Sequence, residues 1–192
     1  MLTDKIATFE KVSKEQFIKD FVTHVRKKKF DPCMMNDIEM NDMYDRIKCP
    51  ARATEGSVGY DFYLPFSLYL EPGETIVIPT GIRCNITYGY SLDIYPKSGL
   101  GFKNHTVLAN TIGIIDADYY ASDNEGHIMV KFINQGFNVT KNHNEGEFSV
   151  HDFYRNCGES FVQGIFHECF GATNDVDQTF AIRNGGFDST NK

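Results

Sequence analysis

Residues 75–96 read TIVIPTGIRCNITYGYSLDIYP, and this stretch decides the fold. Three short runs rich in β-branched and aromatic residues, 75–79, 82–87 and 90–95, are separated by Pro79-Thr80-Gly81 and by Tyr88-Gly89. Such residues suit a half-buried pleated surface, and the intervening Gly and Pro punctuate it, so each run reads as a strand. The same texture continues in both directions. Strands are expected at 58–64 (VGYDFYL), 127–133 (HIMVKFI) and 161–166 (FVQGIF), with Val58, Tyr60, Phe62 and Leu64 alternating onto one face. Further breakers stand at Glu71-Pro72-Gly73, Pro96 and Ser98-Gly99. Strands this short and frequent predict an all-β sandwich, jelly roll or barrel.

The helical signal is confined to residues 13–29. Ser13 is a plausible N-cap, and Phe17, Phe21 and Val25 recur at i, i+4 and i+8 with Ile18 and Val22 beside them. The basic run 26–29 suits a helix C-terminus. Residues 31–45 (DPCMMNDIEMNDMYD) read as an irregular linker. This gives an N-terminal helical extension and linker over 1–45, a β domain over 46–180 and a polar, glycine-rich tail over 181–192.

A chain of 192 residues is long enough for one domain with a core and an appendage. Its net charge of −7 argues against a partner that is wrapped nucleic acid, and an anionic substrate would need local cations or a metal ion. The 5 cysteines form no C-x-x-C pair, which points to free thiols in a reducing compartment and to a cytoplasmic setting, cellular or viral. The N-terminal residues MLTDKIATFEKVSKEQ carry no apolar leader, and no stretch is long enough to span a membrane.

Several chemistries are excluded by motif. There is no G-x-x-x-x-G-K-[ST] phosphate loop and no H-x-E with P-C-x-x-C. His167-Glu168-Cys169 looks metal-like, but strand neighbours point to opposite faces, which argues against zinc. Four features carry chemistry. Ala53-Thr-Glu-Gly-Ser-Val-Gly59-Tyr60-Asp61 sets a carboxylate mid-strand, where it is disfavoured unless exposed or used. Pro96-Lys97-Ser98-Gly99-Leu100 offers a cation, a hydroxyl and a glycine N–H together, a cradle for phosphate or an ordinary turn. Asn110-Thr-Ile-Gly113-Ile114-Ile115-Asp116-Ala-Asp118-Tyr119 places two carboxylates on one face if the chain is extended. Their repulsion would favour proton uptake, as a general base requires. Arg183-Asn-Gly-Gly186-Phe187-Asp188-Ser189-Thr190 could close over phosphates and stack on a base.

In their order, ATEGSVGYD, PKSGLG, NTIGIIDADY, FVQGIF with Gln163, and RNGGFDST resemble the five motifs of the trimeric dUTP pyrophosphatase family, over about residues 46–190. The resemblance implies a jelly-roll or β-barrel subunit of a homotrimer with a mobile C-terminal arm. The implied activity is hydrolysis of dUTP to dUMP and pyrophosphate with Mg²⁺, keeping uracil out of DNA and supplying dUMP for thymidylate synthesis. Asp61 would hold Mg²⁺ through water. Lys97, Ser98, Gly99 and Gln163 would grip the phosphates. Asn110, Gly113, Ile114, Ile115 and Met129 would read uracil. Asp116 would be the general base and Tyr119 the platform under the deoxyribose. From the arm, Phe187 would cover the uracil, and Arg183, Ser189 and Thr190 would meet the γ-phosphate.

The chain departs from the family's pattern in places. Lys97 stands where arginine is usual, turning a bidentate phosphate contact into a point charge. Asp188 stands where glycine is usual, the arm is one residue shorter between Arg183 and Gly185, and stretches 120–126 and 137–158 are extended. The alternatives are a dCTP deaminase-type relative, a nucleotide-binding regulatory module of the same fold, and a structural β-protein.

Overall fold

The computed structural model describes residues 5–26, 37–136 and 153–173. The chain begins with β1 (Ala7–Lys11), α1 (Lys14–Phe21) and a π-helical turn (Val22–Arg26), followed by α2 (Asp37–Asp45). Next come β2 (Tyr60–Tyr63), β3 (Leu68–Leu70), β4 (Thr75–Pro79), β5 (Ile82–Ile86) and β6 (Tyr90–Pro96). A short helix α3 (Ser98–Asn104) precedes β7 (Thr106–Leu108) and β8 (Gly113–Ile115). A 3-10 turn (Ala117–Ala121) leads to β9 (Met129–Asn134), and β10 (Phe153–Arg155) and β11 (Ser160–Glu168) complete the series.

Among the described residues all strand pairs are antiparallel. The strands form a four-stranded sheet β2-β11-β6-β8, a three-stranded sheet β4-β9-β7 and the pairs β1-β5 and β10-β3. This is the all-β, jelly-roll-like architecture that the short strands predict. Alternation decides the faces. Phe62, Leu92, Ile94 and Val162 of the larger sheet are buried, as are Ile76, Ile78, Val130 and Phe132 of the smaller. Each such side chain contributes about 1.5–3 kcal/mol through burial. Phe9 of β1 packs edge-on against Phe62, 5.7 Å between centroids, and also meets Tyr60 and Phe166. Gly164 permits this density, because a Cβ there would stand 2.7 Å from Leu92 Cδ1 and 3.0 Å from Phe62 Cε2.

The six expected strands are all present, but β2 starts at Tyr60, and Val58 is exposed rather than continuing the inner face. Ser13 caps α1 by accepting from the Gln16 N–H at 3.1 Å, and Phe17, Phe21 and Val25 are fully buried. The α-helix ends earlier than expected, at Phe21, and continues as the π turn; residues 27–36 lie outside the described residues. Two findings depart from the reading of the N-terminal part. α2 stands inside the stretch expected to be irregular, burying Met40 and Met43, with the Tyr44 ring 6.0 Å from that of Phe17. β1 pairs with β5 along its whole length, so this segment belongs to the β structure rather than hanging from it. Cys49, Cys84, Cys157 and Cys169 are free, and burial pushes the Cys84 thiol up to about 12, leaving it inert packing. No helix among the described residues is long and apolar enough to cross a membrane.

Candidate active site

The four-stranded sheet presents one polar outer face. In its register Asp61 of β2 lies opposite Gln163 of β11, which lies opposite Tyr95 of β6. Directly paired residues share a face, and Lys97, two residues beyond Tyr95, returns to it. Lys97 Nζ donates to Asp61 Oδ2 at 2.7 Å and to Ser160 Oγ at 3.0 Å. The Lys97 side chain is 33% exposed and that of Asp61 14%, so the pair is shielded but reachable. Gln163 packs on Gly59, where a Cβ would come within 2.7 Å of its Oε1, so the glycine of the first motif makes room for the glutamine of the fourth. Ser98 and Gly99 open α3 directly after Lys97, whose backbone is extended (φ −70, ψ 143). The first N–H groups of a helix lack intrahelical acceptors.

The other edge of the same sheet carries the third motif. Gly113, Ile114 and Ile115 pair with Ile94, Asp93 and Leu92, and Ile114 is 62% exposed on the outer face. The Asn110 amide lies beside Gly113, since a Cβ there would stand 3.7 Å from its Nδ2. Asp116 is exposed and extended (φ −80, ψ 157), and the 3-10 turn begins after it. The expectation that Asp116 and Asp118 share a face of an extended chain is therefore not met. About three residues per turn puts residues two apart on different sides. Tyr119 is 4% exposed, its hydroxyl donating to the His127 carbonyl at 2.9 Å and accepting from Asn124 Nδ2 at 2.8 Å. Little of the ring faces outward.

Two groups thus form in one chain. Asp61, Lys97 and Gln163 come together, with Ser160 as a member that sequence reasoning missed; its only signal is its place at the start of the strand bearing Gln163. Asn110, Gly113–Ile115, Asp116 and Tyr119 gather elsewhere. Ile115 lies opposite Leu92, five residues short of Lys97. At about 3.3 Å per residue this is roughly 16 Å along the sheet, too far for Asp116 and Lys97 to share one small reaction centre. Met129 opens β9, opposite Pro79 in the smaller sheet. Arg183, Phe187, Ser189 and Thr190, with Asp188, lie outside the described residues.

Among the described residues no cluster of three or more His, Cys, Asp or Glu could hold a metal ion. A lone carboxylate such as Asp61 fits Mg²⁺, which keeps most of its waters and uses one or two carboxylates together with substrate phosphates. It does not fit an all-protein cage.

The dUTPase family model matches residues 45–145. The chain is 36% identical over 145 residues to the deoxyuridine 5'-triphosphate nucleotidohydrolase of Lactococcus lactis subsp. lactis, covering 75% of this chain and 88% of that protein. It is 33% identical over 162 residues to the same-named protein of Paraburkholderia phymatum, covering 83% of this chain and 99% of the other. Among solved structures, the dUTPase from Streptococcus mutans superposes with a TM-score of 0.54 at 27% identity, covering 66% of this chain and 89% of that one. A mutant dUTPase from phage phi11 of S. aureus, described as showing the coordination of a structural Mg(II) ion, superposes at 0.52 and 21% identity over 69% of this chain and 91% of its own. That match bears on the fold alone.

Proposed function

The chain belongs to the dUTPase family, and on that premise we propose that it hydrolyses dUTP to dUMP and pyrophosphate. The observation that carries this reading is the outer face of the four-stranded sheet, where Lys97, Asp61 and Gln163 converge beside the start of α3. A cation, an amide and backbone N–H groups there suit a polyphosphate, which is held by positioning and charge rather than by covalent chemistry. Lys97 takes one phosphate oxygen as a point charge, and Ser98, Gly99 and Gln163 orient the others. Asp61 would hold Mg²⁺ through its waters, and the ion when bound supplies charge neutralisation across the phosphates.

Asn110 and the edge of β8 read the uracil through hydrogen bonds, while Asp116 accepts the proton of the water that attacks the α-phosphorus. A positioned base of this kind contributes about 10²–10⁴-fold in rate. The separation of more than about 16 Å between Lys97 and Asp116 along the sheet supports a site completed by a neighbouring copy, in a homotrimer. Reaction in such an assembly keeps uracil out of DNA and yields dUMP for thymidylate synthesis, and the free cysteines favour a cytoplasmic setting.

The test is pyrophosphate release from dUTP, dCTP, dTTP and UTP, with and without Mg²⁺. Selective, Mg²⁺-dependent turnover of dUTP is expected. Ammonia from dCTP, or binding of nucleotide with no turnover, would replace this reading with a deaminase or a regulatory module.

A further inference from the structure

The segment that follows Asp116 is held by side chains from the amino-terminal stretch 5–26. Tyr120 donates its hydroxyl to Glu10 Oε2 at 2.7 Å. Arg83 donates to the same oxygen through Nε at 3.1 Å and Nη2 at 2.9 Å, and its guanidinium carbon lies 4.4 Å from the centroid of the Tyr120 ring. Ser13, the cap of α1, donates its N–H to Glu125 Oε2 at 2.7 Å and its hydroxyl to Oε1 at 2.6 Å. About two helical turns further on, Asp20 Oδ2 lies 2.6 Å from His127 Nδ1. The Gly81 N–H donates to His127 Nε2 at 2.8 Å, so that nitrogen is the acceptor and Nδ1 the donor to Asp20. Gln16 Nε2 also donates to Asp20 Oδ2, at 2.8 Å.

The held loop is itself tightly closed onto the third motif. Ser122 Oγ donates to the Tyr119 carbonyl at 2.7 Å, and the Tyr119 hydroxyl donates to the His127 carbonyl. Glu125 and Gly126 are consecutive left-handed residues (φ 58 and 69), and a Cβ at Gly126 would stand 2.7 Å from Tyr120 Cα. His127 is fully buried and Asp20 6% exposed, among Phe17 and its neighbours. Taking an Asp–His pair out of water carries a desolvation cost that apolar packing would avoid, so the value of this pair lies in fixing geometry.

We infer that Ser13, Asp20 and Glu10 are positioning residues for the reaction centre, acting through Glu125, His127 and Tyr120 to fix Tyr119 and the Asp116 just upstream. The inference rests on the hydrolase reading above. A base must be held to a fraction of an ångström, and a displacement near 1 Å costs on the order of 10²-fold in rate. Without these contacts the 3-10 turn would keep the packing of Tyr119 and the Arg83 guanidinium against Tyr120, but the extended loop 120–126 would lose its hydrogen bonds to the amino-terminal segment. The amino-terminal strand and helix supply the rigid outer wall.

The experiment compares the full-length chain with Ser13→Ala, Ser13→Thr, Tyr120→Phe and Glu125→Gln, all well below their melting temperatures. Ser13→Ala, Tyr120→Phe and Glu125→Gln should each lower kcat about tenfold. KM for dUTP should stay within about twofold, and hydrogen exchange should rise at the amides of residues 117–127. Ser13→Thr, which keeps the hydroxyl, should retain kcat. Unchanged kcat and unchanged exchange in that segment would overturn the inference, as would lower melting temperatures with kcat intact. If the unsubstituted chain itself fails to turn over dUTP, the hydrolase reading falls; the exchange measurement still decides whether these contacts fix the segment.

Discussion

Lys97 Nζ and Asp61 Oδ2 lie 2.7 Å apart, so the cation assigned to the phosphates and the carboxylate assigned to the metal are paired with each other. They come from β2 and the end of β6, strands separated in the sheet by β11, and meet because Lys97 reaches across Gln163's strand. On the proposed roles, binding of a magnesium nucleotide would be an exchange of partners: Lys97 would leave Asp61 for a phosphate oxygen, and Asp61 would be freed to hold the ion through its waters. Metal and nucleotide should therefore bind with positive coupling.

Replacing that cation tests the exchange. Lys97→Met should raise KM for dUTP by about tenfold or more, the scale of losing a hydrogen bond to a charged group. Lys97→Arg should keep or lower KM, because a guanidinium fork can serve Asp61 and a phosphate at once. Steady-state kinetics at saturating Mg²⁺ reads both. Equal KM in all three proteins would remove Lys97 from the phosphate site.

Asp116→Asn should reduce kcat by about 10²–10⁴-fold while leaving nucleotide affinity nearly unchanged. Calorimetric titration with a non-hydrolysable dUTP analogue, beside turnover measurements, separates the two. The exposed Asp116 side chain contributes little to the core, so the melting temperature should hold.

Tyr119 has a structural role in the fold and a proposed role beneath the deoxyribose, and two substitutions separate them. Tyr119→Phe keeps the ring and loses the bond to His127, and should cost about 1 kcal/mol of stability with discrimination against UTP retained. Tyr119→Ala empties a nearly buried site and should cost about 3 kcal/mol or more, with UTP competing better for whatever folded enzyme remains. Thermal melts and competition assays check both; unaltered sugar discrimination in the alanine protein would count against the stacking role.

Acid should loosen the amino-terminal clamp. The Glu10 carboxyl is held below its ordinary value chiefly by the Tyr120 hydroxyl, and that of Glu125 by its hydrogen bonds from Ser13. For Asp20 burial acts upward, but hydrogen bonds from His127 and Gln16, together with the charge of His24, outweigh it. A carboxyl lowered in the folded state contributes stability above its unfolded value and loses it as pH falls through the folded one. The melting temperature should be nearly flat from about pH 7 to 5 and fall below about pH 4, where ordinary carboxylates take up protons. Asp20→Asn should soften that acid limb.

Much was legible in the residues themselves. Six strands declared themselves through β-branched and aromatic runs bounded by glycine and proline, and Ser13 with Phe17, Phe21 and Val25 gave the helix and its buried face. The misses have physical causes. Leu68–Leu70, Thr106–Leu108, Gly113–Ile115 and Phe153–Arg155 are three residues each, too short for a period of two to show. Ala7–Lys11 is mostly polar and becomes a strand because β5 offers it hydrogen bonds. In α2 the spacing of Met40, Met43 and Tyr44 was helical, but asparagine and aspartate between them, poor helix formers, masked it.

The chemistry-bearing residue types and their order were fixed by the sequence alone, because motif spacing constrains local backbone and side-chain function together. Which of them meet was decided only by the fold. Strand order places Gln163 between Asp61 and Tyr95, so residues about a hundred positions apart share a face, while Asp116, close in sequence to Lys97, lies far along the same sheet. Pairing across a sheet is set by the packing of many side chains at once, and no single stretch of chain contains that information.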